Sequence, residues 1–288
     1  MRSVTREAPA KLNLTLDILR RRPDGYHDLR MVMQAISLSD TVTVAETAGE
    51  EITVRTDRTD LPGGRDNIAW KAADIFFRTV GIPRHGLAIT LKKRIPAQAG
   101  MAGGSTDGAV VLKILRELYR PELPDTVLEE MAAAVGSDVP FCVRGGTALA
   151  EGRGEILTPL PPLPDCWITL CKPDFGLSTP ALFGRVQVEK LLRRPDYEAM
   201  ERALAAGDLG AVAGQMWNVF EEVLTPSEAE EIRWIKGKLL THGALNAVMT
   251  GSGPTVFGLF QKEAAACQAA EALKKRYSQV FTARPVFS

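Results

Sequence analysis

Residues 96–108 read PAQAGMAGGSTDG, and the chain then runs straight into AVVLKILREL. Four of those thirteen residues are glycine and most of the others are small. Glycines let backbone N–H groups approach an anion closely. A helix starting at Thr106 would add unpaired donors and the positive end of its dipole. Ser105 and Thr106 would add hydroxyl donors or an oxygen facing a metal. The Walker A pattern is excluded, because Gly104 is followed by Ser105 and Thr106 with no lysine to reach the phosphates. The dinucleotide fingerprint is excluded by the spacing of Gly100, Gly103 and Gly104, and no acidic residue ends a following strand. The remaining readings are a phosphate loop of a third kind and a long turn closed by a Ser/Thr helix cap.

Other residues could carry chemistry. Lys11 and Asn13 sit side by side on the polar face of the first strand, and Asn is a poor strand former, so that face could line a site. The alternative is a solvated lysine. Asp138 stands between Gly-Ser and Val-Pro-Phe, where a loop meets an apolar segment. That is the place of a turn or cap residue, and also of a kinase-type general base. Tyr26 and His27 form an aromatic and hydrogen-bonding pair on a loop. Gly251-Ser252-Gly253-Pro254 is a second glycine turn that either approaches a ligand or simply joins two strands. Arg20 to Arg22 read as a solvated charged edge.

These residues need a frame. KLNLTLDIL alternates, so Leu12, Leu14, Leu16 and Ile18 face a core while Lys11, Asn13, Thr15 and Asp17 face away, as in a half-buried strand. DTVTVAE, EITVRT and LAITLKKRI read as further strands. DNIAWKAADIFFRTV reads as a helix begun by Asp66 or Asn67 and stopped at Gly81. Helices are expected from about 106 to 118, with Ala109, Leu112 and Leu115 on one face, and over DTVLEEMAAAV. GTALAEGRGEIL reads as a hairpin. LTPLPPLPDC carries four prolines and marks a domain boundary, giving 1–158 and 159–288. Beyond it come a strand at CWITLCKP and helices near 180–192, 196–206 and 226–241. Two strands flank the Gly-Ser-Gly-Pro turn, and a last helix and a short strand close the chain. This mixed order is α+β rather than strictly alternating.

The 288 residues are 45% hydrophobic and 24% charged, a composition able to bury a core. Lysine plus arginine equals aspartate plus glutamate at 35 each, so no electrostatic footprint for nucleic acid or an acidic membrane surface is present. No apolar run is long enough to span a bilayer. The first residues show no apolar h-region, so no signal peptide is expected. Cys142, Cys166, Cys171 and Cys267 form no CxxC pair, and reduced thiols in a cytoplasmic protein are the expectation.

Taken together and in order, PAKLNLTL, PxxxGMAGGSTDGA and GSGPTVF resemble the three motifs of the GHMP kinase superfamily, small-molecule kinases of galactose, homoserine, mevalonate and related alcohols. APAKLNLTLDI, RPDGYHDL, DNIAWKAA, IPAQAGMAGGSTDGA, GSDVPFC, GTALAEGRGE and STPALF narrow this to a resemblance to the 4-diphosphocytidyl-2-C-methyl-D-erythritol kinase family, from about residue 5 to residue 260. DGYH and GSDVPF are what separate that family from its relatives. The resemblance implies a two-domain fold, an N-terminal ATP-binding domain and a ferredoxin-like C-terminal domain with the site in the cleft. It implies Mg²⁺ and ATP as cofactors and a cytidine diphosphate-linked methylerythritol as the small-molecule substrate. By resemblance Asp138 is the catalytic aspartate and Lys11 the active-site lysine. The ATP loop falls on Pro96, Ala97, Gln98, Ala99, Gly100, Met101, Ala102, Gly103, Gly104, Ser105 and Thr106. Asn67 falls near the adenine. Asn13 and His27 match substrate hydrogen-bonding positions, and Tyr26 and Phe183 match an aromatic pair around the cytosine. Gln98 and Met101 replace the family's frequent glycine and leucine, and Thr106 a usual serine. The other readings are a homoserine or mevalonate type of GHMP kinase and a non-catalytic nucleotide-binding relative.

Overall fold

The computed structural model describes residues 1–287; Ser288, the last residue of the expected second domain, lies outside them. The chain forms two compact units that interleave in sequence. The first holds residues 1–10, 39–95 and 102–145, and the second holds 11–38, 96–101 and 146 onwards.

In the first unit, the early part of β1 (Ser3–Arg21) and the late part of β2 (His27–Thr47) join β4 (Gly86–Lys92) and β3 (Ile52–Thr56). β4 runs antiparallel to β2, from Thr41 opposite Lys92 to Thr47 opposite Gly86, and parallel to β3. Helix α1 (Ile68–Val80) packs on α2 (Gly103–Tyr119) and α3 (Asp125–Val135), and α4 (Val139–Arg144) packs on α2 and α3. The expected ends of α1 hold. The Asn67 side chain accepts the Ala69 N–H at 2.9 Å, and Gly81 closes the helix at φ +64°.

Helix α2 begins three residues before the expected Thr106. Ala102, at φ +59°, turns the chain into it, and the Thr106 N–H already bonds to the Ala102 carbonyl at 2.9 Å. The glycines that follow serve packing. A Cβ on Gly104 would stand 3.3 Å from Ile68, and one on Gly108 would stand 2.7 Å from it. One i, i+4 glycine pair therefore lets the start of α1 lie against α2. The rest of α2 is buried nearly all round, beyond the single apolar face expected.

In the second unit, the remaining parts of β1 and β2 pair with β8 (Trp217–Asn218) and β5 (Thr147–Gly152), and β5 with β6 (Ile156–Pro159). The second sheet holds β7 (Trp167–Lys172), β9 (Asn246–Met249), β10 (Val256–Phe260) and β11 (Gln279–Ala283) in the order β11-β7-β10-β9, all antiparallel. With α8 (Pro226–Thr241) and α9 (Glu263–Lys274) the connectivity is β7-α8-β9-β10-α9-β11. This is the ferredoxin-like arrangement of two split βαβ units. The long excursion between β7 and α8 carries α5 (Thr179–Arg185), α6 (Tyr197–Ala205), α7 (Leu209–Gln215) and β8.

The expected helix over 180–192 is shorter, because Val186 turns extended and only a brief helical turn follows at Val188–Lys190. The half-buried reading of β1 also fails: Lys11, Asn13, Thr15 and Asp17 are all buried. Each has been given a partner instead of water. The Thr15 hydroxyl accepts the Val32 N–H at 3.0 Å, and Arg194 pairs with Asp17 at 2.9 Å. No helix among the described residues is long and apolar enough to cross a membrane.

Candidate active site

The glycine loop is divided between the units after Met101. Its first part, Pro96–Met101, is built onto the second unit. A Cβ on Gly100 would overlap the Thr250 carbonyl oxygen, and one on Gly251 would stand 2.7 Å from the Gly100 carbonyl oxygen. Two backbones thus lie directly on each other, which only glycine permits. The Lys11 N–H donates to the Met101 carbonyl at 3.2 Å. Pro96, Ala99 and Met101 are buried, Ala97 and Gly100 half-buried, and Gln98 exposed. Gln98 sits at φ +49°, in the left-handed region where a glycine is unstrained. Gln98 and Ala102 are the two non-glycine residues of positive φ among the described residues, and both lie within this loop. Such strain costs of order 1–3 kcal/mol per residue and collects at functional sites.

The second part, Ala102–Thr106, belongs to the first unit. Gly103, Gly104 and Ser105 form the first turn of α2, half-buried to exposed, where backbone N–H groups have no partner within the helix. Thr106 points the other way. It is buried, and its hydroxyl, expected as a donor to an anion, donates to the Pro9 carbonyl at 2.8 Å.

Beneath that turn lies a group the sequence reading missed. The ammonium of Lys93 donates to Asp40, to Asp107 and to the Gly103 carbonyl, the last at 3.2 Å. All three of its donors are therefore engaged. Asp40 also accepts the N–H groups of Arg94 and Ile95, at 2.5 and 2.8 Å. Oδ1 of Asp107 is buried with no partner. Burial, with Asp40 alongside and against the pull of Lys93, pushes the Asp107 carboxyl up to about 7. The loop lacks a lysine in its sequence, yet a lysine ten positions upstream pins its first helical carbonyl from below. The available signal was Asp107 itself, an acid on a helix turn otherwise made of small and apolar residues.

In the second unit the β1 residues meet the Gly-Ser-Gly-Pro turn. Lys11, only 4% exposed, donates through Nζ to Asn13 Oδ1 at 2.7 Å. The Asn13 N–H donates to the Thr250 hydroxyl at 2.9 Å, and Asn13 Nδ2 lies 3.3 Å from the Met31 sulfur. Lys11 and Asn13 are therefore brought together, and Thr250, which the sequence reading did not single out, holds them beside the turn.

Tyr26, His27 and Phe183 also lie in the second unit. Phe183 projects from α5, whose first turn carries Pro180 and is capped by the Ser178 hydroxyl. Its ring stacks on His27 at 4.9 Å and 20°, and meets Phe220 edge-on at 4.9 Å and 86°. The ring beside Phe183 is thus His27, while Tyr26 is 57% exposed with the Arg153 guanidinium 5.2 Å from its centroid. Partial burial, and next the charge of Arg21, hold the His27 imidazole below its usual value. The arginine run stays at the surface, with Arg20 and Arg21 exposed and Arg22 half-buried. Arg20 and Arg22 both pair with Asp28, at 2.6 and 2.9 Å, whereas Arg21 has no ion pair among the described residues.

Asp138 belongs to the first unit. It is half-buried at the N-terminus of α4, a short helix the sequence reading did not anticipate, and its carbonyl accepts the Cys142 N–H at 3.2 Å. Its side chain does not cap that helix. Asn67 is the N-cap of α1, and its Nδ2 donates to the Pro62 carbonyl at 2.8 Å. Among the described residues no three His, Cys, Asp or Glu side chains converge as a metal cage.

The sequence matches the GHMP kinases N terminal domain over residues 67–146 and the GHMP kinases C terminal domain over 188–279. It is 42% identical over 279 residues to a 4-diphosphocytidyl-2-C-methyl-D-erythritol kinase of Alkaliphilus metalliredigens, covering 97% of this chain and 95% of that one. The fold superposes on a crystal structure of 4-(cytidine 5'-diphospho)-2C-methyl-D-erythritol kinase with a TM-score of 0.83 and 33% identity, covering 99% of this chain and 100% of the other. A homoserine kinase from Cytophaga hutchinsonii shares the fold at a TM-score of 0.76 and 18% identity, covering 99% of this chain and 95% of the other. GHMP kinases use ATP, and the motifs, the fold and this near-full-length likeness agree: the chain belongs to the 4-diphosphocytidyl-2-C-methyl-D-erythritol kinase family of GHMP kinases.

Proposed function

We propose that the chain transfers the γ-phosphoryl group of ATP to the 2-hydroxyl of 4-diphosphocytidyl-2-C-methyl-D-erythritol, a step in non-mevalonate isoprenoid precursor synthesis. Phosphoryl transfer asks little covalent chemistry of a protein, and positioning with charge stabilisation does most of the work. The backbone N–H groups from Gly100 to Ser105 cradle the β- and γ-phosphates at the positive end of α2. Asp138 accepts the proton of the reacting hydroxyl. Lys11 orients that hydroxyl, with Asn13 holding the ammonium by the 2.7 Å hydrogen bond. Tyr26, His27 and Phe183 recognise the cytosine by stacking and edge hydrogen bonds, and Asn67 borders the adenine.

The residues fit a magnesium ion that arrives with the nucleotide. Mg²⁺ usually takes one or two protein oxygens plus substrate phosphates rather than a protein cage. The half-exposed Ser105 hydroxyl in the first turn of α2 would hold it. Bound there, the ion supplies neutralisation of phosphate charge.

The observation that carries this reading is the stack of His27 on Phe183, with Tyr26, the residue before His27, left exposed. Mevalonate and homoserine have no ring to place on it. A coupled ADP-release assay with the cytidylated substrate against mevalonate and homoserine tests the reading. Turnover of the cytidylated substrate is expected. ADP release with either small alcohol instead would overturn it, and so would ATP binding with no turnover at all.

A further inference from the structure

The Gly-Ser-Gly-Pro turn, the phosphate loop and the aromatic pair share one buried side chain. Asn218 ends β8, where it lies opposite Leu16 of β1, and it is fully buried. Its Nδ2 donates to the Met249 carbonyl at 2.7 Å and to the Gly251 carbonyl at 2.8 Å. Its Oδ1 accepts the Phe220 N–H at 3.0 Å. Both donors and the acceptor oxygen are in use.

Each bond leads to a functional element within one residue. Between Met249 and Gly251 stands Thr250, whose hydroxyl receives the Asn13 N–H at 2.9 Å. Asn13 in turn holds Lys11. Thr250 and Gly251 are the backbone on which Gly100 of the phosphate loop rests. On the other side, Phe220 meets Phe183 edge-on, and Phe183 carries His27. A primary amide suits this place because it supplies two donors and one acceptor in a fixed plane. Aspartate has the same shape but would turn a second oxygen toward two carbonyl oxygens, a buried repulsion with both carbonyls left unpaired.

We propose that Asn218 is a positioning residue for the kinase reaction, fixing the phosphate-loop platform and the base-stacking rings relative to one another. The proposal rests on the function proposed above. It assigns the Gly-Ser-Gly-Pro turn a supporting part: Asn218 braces the turn, and the turn braces Gly100 and Asn13.

The test compares the wild-type chain with Asn218→Asp, Asn218→Ser and Asn218→Ala in the ADP-release assay, with ATP affinity measured by calorimetry and Tm recorded for each. Displacing reacting groups by about 1 Å can lower turnover by about 10²-fold, so a fall in kcat on that scale is expected for Asn218→Asp. A rise in KM for both ATP and the cytidylated substrate should accompany it. Asn218→Ser, which keeps one donor, should fall between Asp and wild type. Variants that lose Tm yet keep both KM values and kcat in their folded fraction would reduce Asn218 to a structural residue and overturn the proposal.

Should the Asn218 variants fail to fold, Thr250→Val and Phe220→Leu probe the two sides of the brace with Asn218 intact. Their effects on kcat/KM should be non-additive in the double variant, whereas the fold-changes of independent sites simply multiply. Strict additivity would overturn the proposal. Wild-type turnover separates the two claims. No ADP release from the wild-type chain overturns the functional reading and this proposal with it, while normal turnover by every variant overturns this proposal alone.

Discussion

Gly100 and Thr250 are in backbone contact: a single carbon added to Gly100 would overlap the Thr250 carbonyl oxygen. They stand 150 positions apart in the sequence, and their contact joins the glycine loop to the turn that holds Asn13. Gly100→Ala must move one of two backbones, and its φ of +73° is also unfavourable for alanine. Overpacking of this kind costs about 1–3 kcal/mol. A lower Tm with a raised KM for ATP is expected. Unchanged ATP affinity by calorimetry would show that the loop does not need this contact.

Asp138→Asn removes the proposed proton acceptor while keeping its size. General-base catalysis contributes about 10²–10⁴-fold, so kcat should fall on that scale with ATP affinity nearly intact. Steady-state kinetics beside calorimetry separate the two. Normal turnover by the variant would end the assignment.

Phe183→Ala removes one ring of the stack that His27 completes. Base–aromatic stacking is worth about 1–3 kcal/mol by alanine substitution. KM for the cytidylated substrate should therefore rise by about fivefold or more, with KM for ATP unmoved. A rise confined to ATP would relocate Phe183 to the wrong substrate.

Burial and then Arg21 hold the His27 imidazole below its usual value near ~6.5. His27 is then neutral at physiological pH, and it gains a proton only on going more acid than an ordinary histidine. KM for the cytidylated substrate should stay level on lowering the pH through that value and rise below it. Arg21→Ala removes a cation that opposes protonation, so the rise should begin at higher pH. Superimposable KM–pH profiles for the two proteins would detach Arg21 from His27.

Asp107 carries the opposite sign. Its folded carboxyl is raised to about 7, far above an ordinary aspartate, so the folded state binds the proton more tightly than the unfolded state. Raising the pH from about 4 to about 7 therefore removes stability, and the loss is complete above that window. Asp107→Asn never ionises. Its Tm should gain on wild type steadily across the window and then level off, as thermal melts at several pH values would record. A gain that shrank with rising pH would place the shift on another group.

The α+β class, most element positions and the family are legible in the chain before folding, because they rest on local patterns. Alternation and capping belong to neighbouring residues, as at Asn67 and Gly81 around α1. Motif order along the chain carried the likeness to GHMP kinases. The sequence also placed Lys11 next to Asn13, two residues apart on one strand face. Local pattern could not show that this face would be covered. Lys11 and Asn13 are buried because the turn around Thr250, 237 positions beyond Asn13, lies against them. Lys93, Asp40 and Asp107 are far apart in the sequence and become one buried cluster only where β2, the end of β4 and α2 converge. The early start of α2 depends on Ala102 taking a left-handed conformation that alanine disfavours alone, and Asn218 meets its three partners where β8 lies beside β1. Each was decided by tertiary structure for one physical reason. A buried polar group must find its partners wherever the fold brings them, and sequence spacing has no measure of that distance.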